Sequence, residues 1–382
     1  MHIAMIGTTA PSHIYPSLAV IAELVRRGHR ITYAVGRSAA SIVKPYGVEI
    51  VSWESILPSG QDAWPDDPAA AMHVFLDETI AAFPVLTGFY DDGRPDLLLY
   101  DIGGMAAPVL GARYGVPAVQ LSPAYVAWDG YAEDLADVIG PLRSSATGVR
   151  YHAVYAEWLR SNDIDTDPWD WITYPEHCLS LIPRVMQPHA DRVGDHVQFV
   201  GPCLDPVRLA DRSWTPPDGK ILYVSFGTGF NEQPDFYRLC IDTFAGTDWQ
   251  VVISIGHRVD PADLGELPPN VQLYQHVPQL ALLDAASVFI THAGMGGCTE
   301  SLWFGVPTVA IPQAVDQFGN ADMLVELGVG VQLSQDDATT QTLSDAVAAA
   351  EKLSGRASEI SAEVRAHGGV AAAADAIEQF LA

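Results

Sequence analysis

The stretch FITHAGMGGCTE, residues 289–300, is the most unusual dozen residues in this chain. An apolar, strand-like run stops at His292, and three glycines follow before a sequence that predicts a helix beginning near Cys298. Glycine lets another group approach the backbone closely, and the bare amides of a helix N-terminus bind anions. At the carboxyl end of a parallel sheet, such a turn predicts a seat for a phosphate group.

The three glycines, Gly294, Gly296 and Gly297, fit neither of two common nucleotide-binding patterns. They do not match the P-loop pattern GxxxxGK[ST], nor GxGxxG after the first strand of a nucleotide domain. In the remaining arrangement of strand, turn and helix, His292 can donate a ring N–H to a phosphate oxygen, and Glu300, in the first helical turn, can accept both hydroxyls of a ribose. The alternative interpretation is a glycine-rich turn whose histidine is structural.

Strand-like and helix-like segments alternate in both halves of the chain. HIAMIGT, PSLAVIAELVRRGH and RITYAV open the first half, and KILYVSFGT and WQVVISIG open the second. This alternation predicts an α/β protein with two doubly wound parallel sheets. In the first helix we expect Pro16 in the first turn and Gly28 at the C-terminal cap.

The length of 382 residues is sufficient for two domains, each with its own core. The segment CLDPVRLADRSWTPPDG is rich in proline and lacks periodicity, which is typical of a linker. We therefore expect an N-terminal domain over 1–202, a linker over 203–219 and a C-terminal domain over 220–365. A final helix over 366–382 can cross back to the N-terminal domain.

The composition excludes several classes of partner. The formal net charge of −27 opposes binding to nucleic acid or anionic membranes, which are recognised through clustered Lys and Arg. The four cysteines form no CxxC pair, so neither a disulfide framework nor a zinc site is predicted. No apolar run approaches the length of a membrane span, and the N-terminus lacks the pattern of a signal peptide. We expect a soluble, cytoplasmic protein.

Two regions, 58–95 and 125–175, interrupt the regular pattern. The second region carries several large aromatic residues: Tyr125, Trp128, Tyr131, Trp158, Trp169 and Trp171. One interpretation is a pair of insertions with small cores of their own, because Trp and Tyr tend to be buried. The other interpretation is a wall for a large, partly apolar ligand.

The opening turn lies within a longer run, HVPQLALLDAASVFITHAGMGGCTESLWFGVPTVAIPQAVDQFGNADML. This run resembles the nucleotide-sugar motif of the GT-B glycosyltransferases that modify small molecules, above all the macrolide glycosyltransferases such as the oleandomycin enzymes. SHIYPSLAVIAELVRRGH, LLYDI, QPHADRV and VSFGT extend the likeness over nearly the whole chain. The resemblance implies the GT-B fold of the UDP-glycosyltransferase superfamily, with two Rossmann-like domains facing a central cleft.

The same resemblance places the donor site in the C-terminal domain. The residues that match the motif are Thr228, His276, Gln279, His292, Gly294, Gly296, Gly297, Cys298, Glu300, Asp316 and Gln317. It assigns His292 to the α-phosphate, Thr228 with Gly296 and Gly297 to the diphosphate region, Glu300 to the ribose, and Gln279 to the base edge or ribose. Asp316 and Gln317 would bind the hydroxyls of the transferred hexose, which an acid beside an amide can both accept from and donate to.

Two positions depart from the family's pattern. The family usually has Trp where this chain has His276, and a smaller imidazole should stack more weakly on a base. The base preference therefore stays open. Relatives often carry Ser at the position of Cys298, where a neighbouring backbone amide can still serve the phosphate.

A second candidate site lies in the N-terminal half. His13 is expected on the loop after the first strand, and Asp101 ends the strand LLLYD, so both belong to the edge of the sheet where active sites gather. An imidazole held by a carboxylate can accept a proton near neutral pH. The pair resembles the family's His and Asp dyad, which implies His13 as general base.

The resemblance implies an inverting hexosyltransferase that moves glucose from UDP-glucose to a hydroxyl of a macrolide or a similar natural product. Helix amides and His292 would stabilise the leaving diphosphate, so no metal and no further cofactor is expected. A homodimer is compatible with this prediction. Three different functions stay open beside it: a dTDP-deoxysugar-dependent enzyme of antibiotic biosynthesis, a non-catalytic nucleotide-sugar-binding protein, and a nucleotide-sugar epimerase.

Overall fold

The structure is a computed structural model that describes residues 1–58, 64–314 and 316–381. Residues 59–63 of the predicted insertion 58–95, Val315, and Ala382 of the predicted final helix lie outside the described residues. The chain divides into two compact units. The first unit comprises Met1–Ile182, His189–Cys203 and Val370–Ala382, and the second comprises Pro183–Pro188 and Leu204–Gly369.

The regular elements alternate along the chain as the sequence predicts. The strands are β1 (His2–Ile6), β2 (Arg30–Ala34), β3 (Glu49–Val51), β4 (Leu97–Tyr100), β5 (Ala118–Ser122), β6 (Cys178–Ser180), β7 (Val197–Phe199), β8 (Lys220–Ser225), β9 (Trp249–Ser254), β10 (Val271–Tyr274), β11 (Ala286–Thr291), β12 (Thr308–Ala310) and β13 (Gly330–Gln332). The helices are α1 (Pro11–Arg26), α2 (Ala40–Val43), α3 (Pro68–Tyr90), α4 (Ala106–Tyr114), α5 (Tyr131–Asp134), α6 (Ala136–Ser144), α7 (Ala146–Ser161), α8 (Pro168–Thr173), α9 (Pro206–Leu209), α10 (Pro234–Phe244), α11 (Gln279–Ala285), α12 (Met295–Phe304), α13 (Gln317–Glu326), α14 (Thr340–Glu351), α15 (Ser354–Ala366) and α16 (Val370–Gln379).

Each unit is built on one parallel sheet. In the part of the chain that the structure describes, the first sheet has seven strands in the order β3-β2-β1-β4-β5-β6-β7, and the second has six in the order β10-β9-β8-β11-β12-β13. The chain therefore reverses its direction of winding between β1 and β4 in the first sheet and between β8 and β11 in the second. The prediction of two doubly wound parallel sheets is confirmed.

The central strands are buried on both faces, as parallel sheets require. In β1, Ile3 and Met5 pack in one apolar cluster with α1, whereas Ala4 and Ile6 pack in another with α3 and α4. In β8, Leu222 and Val224 belong to one cluster, and Ile221 and Tyr223 to the cluster on the opposite face. Successive side chains of each strand point to opposite faces of the sheet, so each sheet packs against one layer of helices on either face.

Helix α16 belongs to the first unit, although it follows the second in sequence. Ala373, Ala374 and Ile377 lie in the apolar cluster of α1. Arg27 Nη1 donates to Asp375 at 2.6 Å and to Glu378 at 2.7 Å. The expected final helix over 366–382 begins at Val370 in the structure, and the excursion of residues 183–188 into the second unit was not predicted.

The first helix starts earlier than the sequence suggested. Helix α1 begins at Pro11, so Pro16 lies inside it rather than in its first turn, and His13 is helical rather than on a loop. Pro11 accounts for the early start, because a proline near a helix N-terminus has its backbone angle already set for the helix. The C-cap is Arg27, one residue before the expected Gly28, which follows it with φ +89° in the left-handed conformation that glycine favours after a helix.

The aromatic insertion has a small core of its own, as one of the two interpretations predicted. Tyr151, Tyr155, Trp158 and Trp169 are buried together with Leu76 of α3. The edge-to-face contact of Phe83 with Trp158, at 5.4 Å between ring centroids, joins α3 to α7. Most of the large aromatic residues in this region therefore serve packing.

Among the described residues, α3 is long and apolar enough to cross a membrane by length and composition alone. The expectation that no segment reaches this length is therefore wrong. In the structure α3 packs against other helices of the first unit and carries Glu78, whose carboxylate accepts from Trp53 Nε1 and from the Ile56 amide, each at 2.7 Å.

Candidate active site

The first unit holds a histidine and a carboxylate at the point where its sheet reverses direction. Ile6 of β1 pairs with Tyr100 of β4, so the residues that follow these strands meet at the carboxyl edge. His13 Nδ1 lies 2.7 Å from Asp101 Oδ2. Asp101 is 1% exposed, and its carboxylate can accept a hydrogen bond from Nδ1 in the tautomer that carries the ring proton on that nitrogen. That tautomer leaves the lone pair on Nε2, which is the form of a general base.

Thr8 fixes the other oxygen of Asp101. Its backbone amide donates to Asp101 Oδ1 at 3.1 Å, and its hydroxyl donates to the same atom at 2.7 Å. A Cβ at Gly103 would stand 2.1 Å from the Thr8 hydroxyl, so the chain must carry glycine there. Thr8 is not among the site residues predicted from the sequence. The one feature of the sequence that could have indicated it is a hydroxyl residue two positions after β1.

The second unit holds the glycine-rich turn at the equivalent point, between β8 and β11. Helix α12 begins at Met295, three residues before the predicted start, so Gly296 and Gly297 are in its first turn and Glu300 is in its second. Gly294 is the N-cap, and among the described residues no side chain caps the helix. The amides of Met295, Gly296 and Gly297 precede the first intrahelical bond, in which the Cys298 amide donates to Gly294.

His292 stands beside these amides. A Cβ at Gly227 or Gly294 would lie 2.7 Å or 2.5 Å from the imidazole ring, so both glycines make room for it. Burial lowers the pKa of His292 to about 4, because the ring has little water to stabilise its charged form. Its Nδ1 is buried without a hydrogen-bond partner among the described residues. His292 is therefore a neutral imidazole that carries one N–H.

Glu300 is the centre of a polar network in the second unit. It is 7% exposed, and its Oε1 accepts from Arg208 Nη2 of α9 at 3.1 Å. Its Oε2 accepts from the Gln279 amide, whose own oxygen accepts from Tyr223 at 2.9 Å. A carboxylate has about four acceptor positions, so one remains on each oxygen. Arg208 is 92 positions away in sequence, and no sequence signal predicts the pair.

Asp316 and Gln317 stand at the start of α13. Asp316 is exposed at the N-cap, and its Oδ2 accepts from Asn320 Nδ2 at 2.9 Å. Gln317 is buried, and its Oε1 accepts from the amides of Gln313 and Ala314. Because the side-chain oxygen of Gln317 is occupied in this way, its side-chain NH2 group can only donate to a ligand. Of the two residues, Asp316 is therefore the one that can accept a hydrogen bond from a hydroxyl.

The remaining predicted donor residues differ in exposure. Thr228, on the turn after β8, and His276, on the loop before α11, are both exposed. The Cys298 side chain is fully buried, and burial raises the pKa of its thiol. Because the Cys298 amide is also bonded within the helix, this residue is not placed to meet a phosphate.

Two doubly wound sheets, one with a His and Asp pair and the other with an amide-lined helix start, define an α/β enzyme of the GT-B class. Oleandomycin glycosyltransferase from Streptomyces antibioticus is 44% identical to this chain, over 100% of this chain and 91% of that protein. Residues 238–375 match the family described as erythromycin biosynthesis protein CIII-like, C-terminal domain. The chain belongs to the macrolide glycosyltransferase family and is a glycosyltransferase.

Two solved structures have the same fold over the whole chain. The glycosyltransferase of kitacinnamycin has a TM-score of 0.92 and 40% identity, and covers 100% of this chain and 99% of that one. A calicheamicin glycosyltransferase has a TM-score of 0.87 and 33% identity, and covers 100% and 98%. The resemblance stated from the sequence is therefore confirmed at the level of family and fold.

Proposed function

We propose that this chain transfers glucose from UDP-glucose to a hydroxyl of a macrolide or a similar natural product, with inversion at the anomeric carbon. The observation that carries the proposal is the 2.7 Å contact between His13 Nδ1 and the buried Asp101 carboxylate. We call the places where the winding of each sheet reverses the two switch points: the first follows β1 and β4, and the second follows β8 and β11. The His13–Asp101 contact supports a general base at the first switch point, and the bare amides of α12 support a binding site for the leaving diphosphate at the second. The name of the oleandomycin relative suggests the class of acceptor.

The proposed step forms one bond and breaks one. The acceptor oxygen attacks the anomeric carbon while its proton passes to His13 Nε2. The bond from that carbon to the phosphate oxygen breaks, and UDP leaves with the bonding electrons. Asp101 stabilises the imidazolium, which afterwards returns the proton to solvent.

The donor would be held by side chains and amides of the second unit. The positive end of α12 and the His292 N–H stabilise the negative charge that develops on the diphosphate. One acceptor position on each oxygen of Glu300 matches the two neighbouring hydroxyls of a ribose. Asp316 accepts from the hexose. None of these roles calls on a metal or a further cofactor, and we propose a soluble, cytoplasmic enzyme without nucleic-acid or membrane partners.

A donor panel tests the proposal. Oleandomycin is incubated with UDP-glucose, dTDP-glucose or a dTDP-deoxysugar, and the products are read by mass spectrometry. We expect transfer of one glucose from UDP-glucose. Turnover with dTDP-deoxysugars alone would replace the proposed donor by that of a biosynthetic enzyme, which the exposed His276 in place of a stacking Trp would then explain.

Two further incubations distinguish a transferase from an epimerase and from a binding protein. UDP-glucose without an acceptor should be recovered unchanged, whereas a new sugar epimer would point to an epimerase. Tight binding of UDP-glucose without turnover on a broad panel of hydroxylated natural products would indicate a non-catalytic binding protein.

A further inference from the structure

Within the sequence run AVDQFGNA, Asn320 is a fully buried polar residue to which the proposed function gives no role. It lies in α13, four residues after Asp316, and is 0% exposed. Its Nδ2 donates to the carbonyl of Ala293 at 2.9 Å and to Asp316 Oδ2 at 2.9 Å. One buried amide therefore contacts both the glycine-rich turn and the candidate sugar-binding carboxylate.

The chemistry of these contacts requires an amide. Both partners of Asn320 Nδ2 are acceptors, so the side chain must present its two N–H groups and not its oxygen. An aspartate of the same shape would instead place an acceptor against a carbonyl and a second carboxylate. A packing role would not require two donors on one atom.

The contact to Ala293 falls at a strained point of the backbone. Ala293 has φ +61°, a left-handed conformation that is uncommon for a residue with a side chain. A second hydrogen bond supports the turn here, since the Ala293 amide donates to Thr291 Oγ1 at 3.2 Å. Ala293 joins His292 to the N-cap Gly294, so its conformation sets the directions of the imidazole and of the first amides of α12.

We propose that Asn320 is a positioning residue that couples the phosphate-binding turn to the sugar-reading carboxylate Asp316. Its two N–H groups hold the Ala293 carbonyl and one oxygen of Asp316 in a fixed relation, so that the diphosphate and the hexose of one donor are recognised together. This inference rests on the proposed function, because it assigns Asp316 to the sugar and the turn to the diphosphate.

The test measures the affinity of UDP and of UDP-glucose by calorimetry in wild type, N320D, N320S, D316A and the doubles N320D/D316A and N320S/D316A. The ratio of the two dissociation constants reports the contribution of the sugar, and UDP alone reports the turn. We expect N320D to weaken UDP binding several-fold and to reduce the advantage of UDP-glucose over UDP by about tenfold. N320S, which keeps one donor, should lie between wild type and N320D.

The double variants separate positioning from a general loss of stability. If Asn320 acts on the sugar through Asp316, changing Asn320 should not alter the ratio further once Asp316 is alanine. N270D is the matched control, because Asn270 Nδ2 also donates to two carbonyls of the second unit, those of Phe244 and Trp249, at 2.8 Å each. It should lower the melting temperature without changing either affinity.

Several outcomes overturn the inference. An unchanged ratio in folded N320D and N320S would do so, as would an equal effect of either substitution with and without Asp316. If N320D does not fold, N320S and N320S/D316A answer the same question. Wild type that binds dTDP-glucose but not UDP-glucose refutes the proposed donor alone, and the same ratios are then measured with dTDP and dTDP-glucose. Wild type that binds neither donor refutes both proposals.

Discussion

The two switch points of this protein occupy the same place in two similar sheets and carry opposite kinds of chemistry. At the first, after β1 and β4, the polar groups are side chains: an imidazole in contact with a buried carboxyl group. At the second, after β8 and β11, they are backbone amides beside an imidazole that burial keeps neutral. Topology provides the location in both cases, and the residues at the strand ends decide what the location can bind or do.

The helix that follows each switch point shows how the difference arises. Helix α1 begins with Pro11, which has no N–H, and directs His13 toward Asp101. Helix α12 has two glycines in its first turn and leaves its amides bare. The first arrangement suits proton transfer, whereas the second suits an anion. Variants at each switch point should separate the two roles.

Replacing His13 by Ala should remove catalysis at the first switch point and leave the second intact. We expect kcat to fall by about 10²–10⁴, the usual contribution of a general base. The dissociation constant of UDP should stay within about twofold of wild type, because the proposed nucleotide site lies in the second unit. Steady-state transfer assays and calorimetry give the two numbers. Transfer at the wild-type rate would exclude His13 as the base.

Acid should lower the stability of the folded protein, because His292 is buried in its neutral form. Its pKa is lowered to about 4, whereas the unfolded chain takes up the proton near the ordinary value of 6.5. The folded state therefore loses stability as the pH falls from 6.5 toward 4, by about 3 kcal/mol from this group. Above that window the group contributes no pH dependence.

The variant H292Q isolates this effect, since all other titrating groups remain. Urea unfolding at intervals between pH 7.5 and 4.5 should show a steeper loss of unfolding free energy in wild type than in H292Q. Parallel curves for the two proteins would mean that the ring is not buried as a neutral group.

Arg208 should matter for the donor although it has no direct chemical role. R208M leaves the mostly buried Glu300 carboxylate without its cation, so we expect UDP to bind about tenfold more weakly, with kcat at saturating donor little changed. R212M is the control, because Arg212 donates only to the carbonyls of Leu209 and Asp211 among its described hydrogen bonds. Equal effects of both substitutions on UDP affinity would refute the role of the ion pair.

A methyl group can test the bare amides directly. Gly296 is the second residue of α12, and a Cβ there meets no atom of the described residues within 4 Å, so G296A should fold and gain about 0.5–1 kcal/mol of helix stability. The same methyl group should obstruct a bound diphosphate and weaken UDP several-fold.

Gly355 provides the matched control, since it is the second residue of α15 and has equally open surroundings. G355A should show the same gain in stability and no change in UDP affinity. If G296A binds UDP as tightly as wild type, the diphosphate lies elsewhere.

Much of the site was predictable where it depends on strand ends. His13, Asp101 and His292 each lie within a few residues of a short apolar run, and the rule that parallel strands end at one edge brings the first two together. The boundaries of helices were harder to predict from the sequence. The run of glycines suggested that α12 begins only at Cys298, but glycine is also a favourable N-cap residue, and with Gly294 as the N-cap the helix begins at Met295. This earlier start of α12 places Glu300 in the second turn. It also means that the Cys298 amide donates an intrahelical hydrogen bond to the carbonyl of Gly294.

The alternation of strands and helices, the two sheets, the family and the residue types at both switch points can all be inferred from the amino-acid sequence. These follow from local periodicity and from motifs whose members are neighbours along the chain. Three contacts become visible only in the folded chain: Thr8 donates to Asp101, Arg208 pairs with Glu300, and the Asn320 amide joins Ala293 to Asp316. Such hydrogen bonds form only when segments that are far apart in the sequence come within a few ångströms of each other. The pattern of residue types along the chain does not specify those distances.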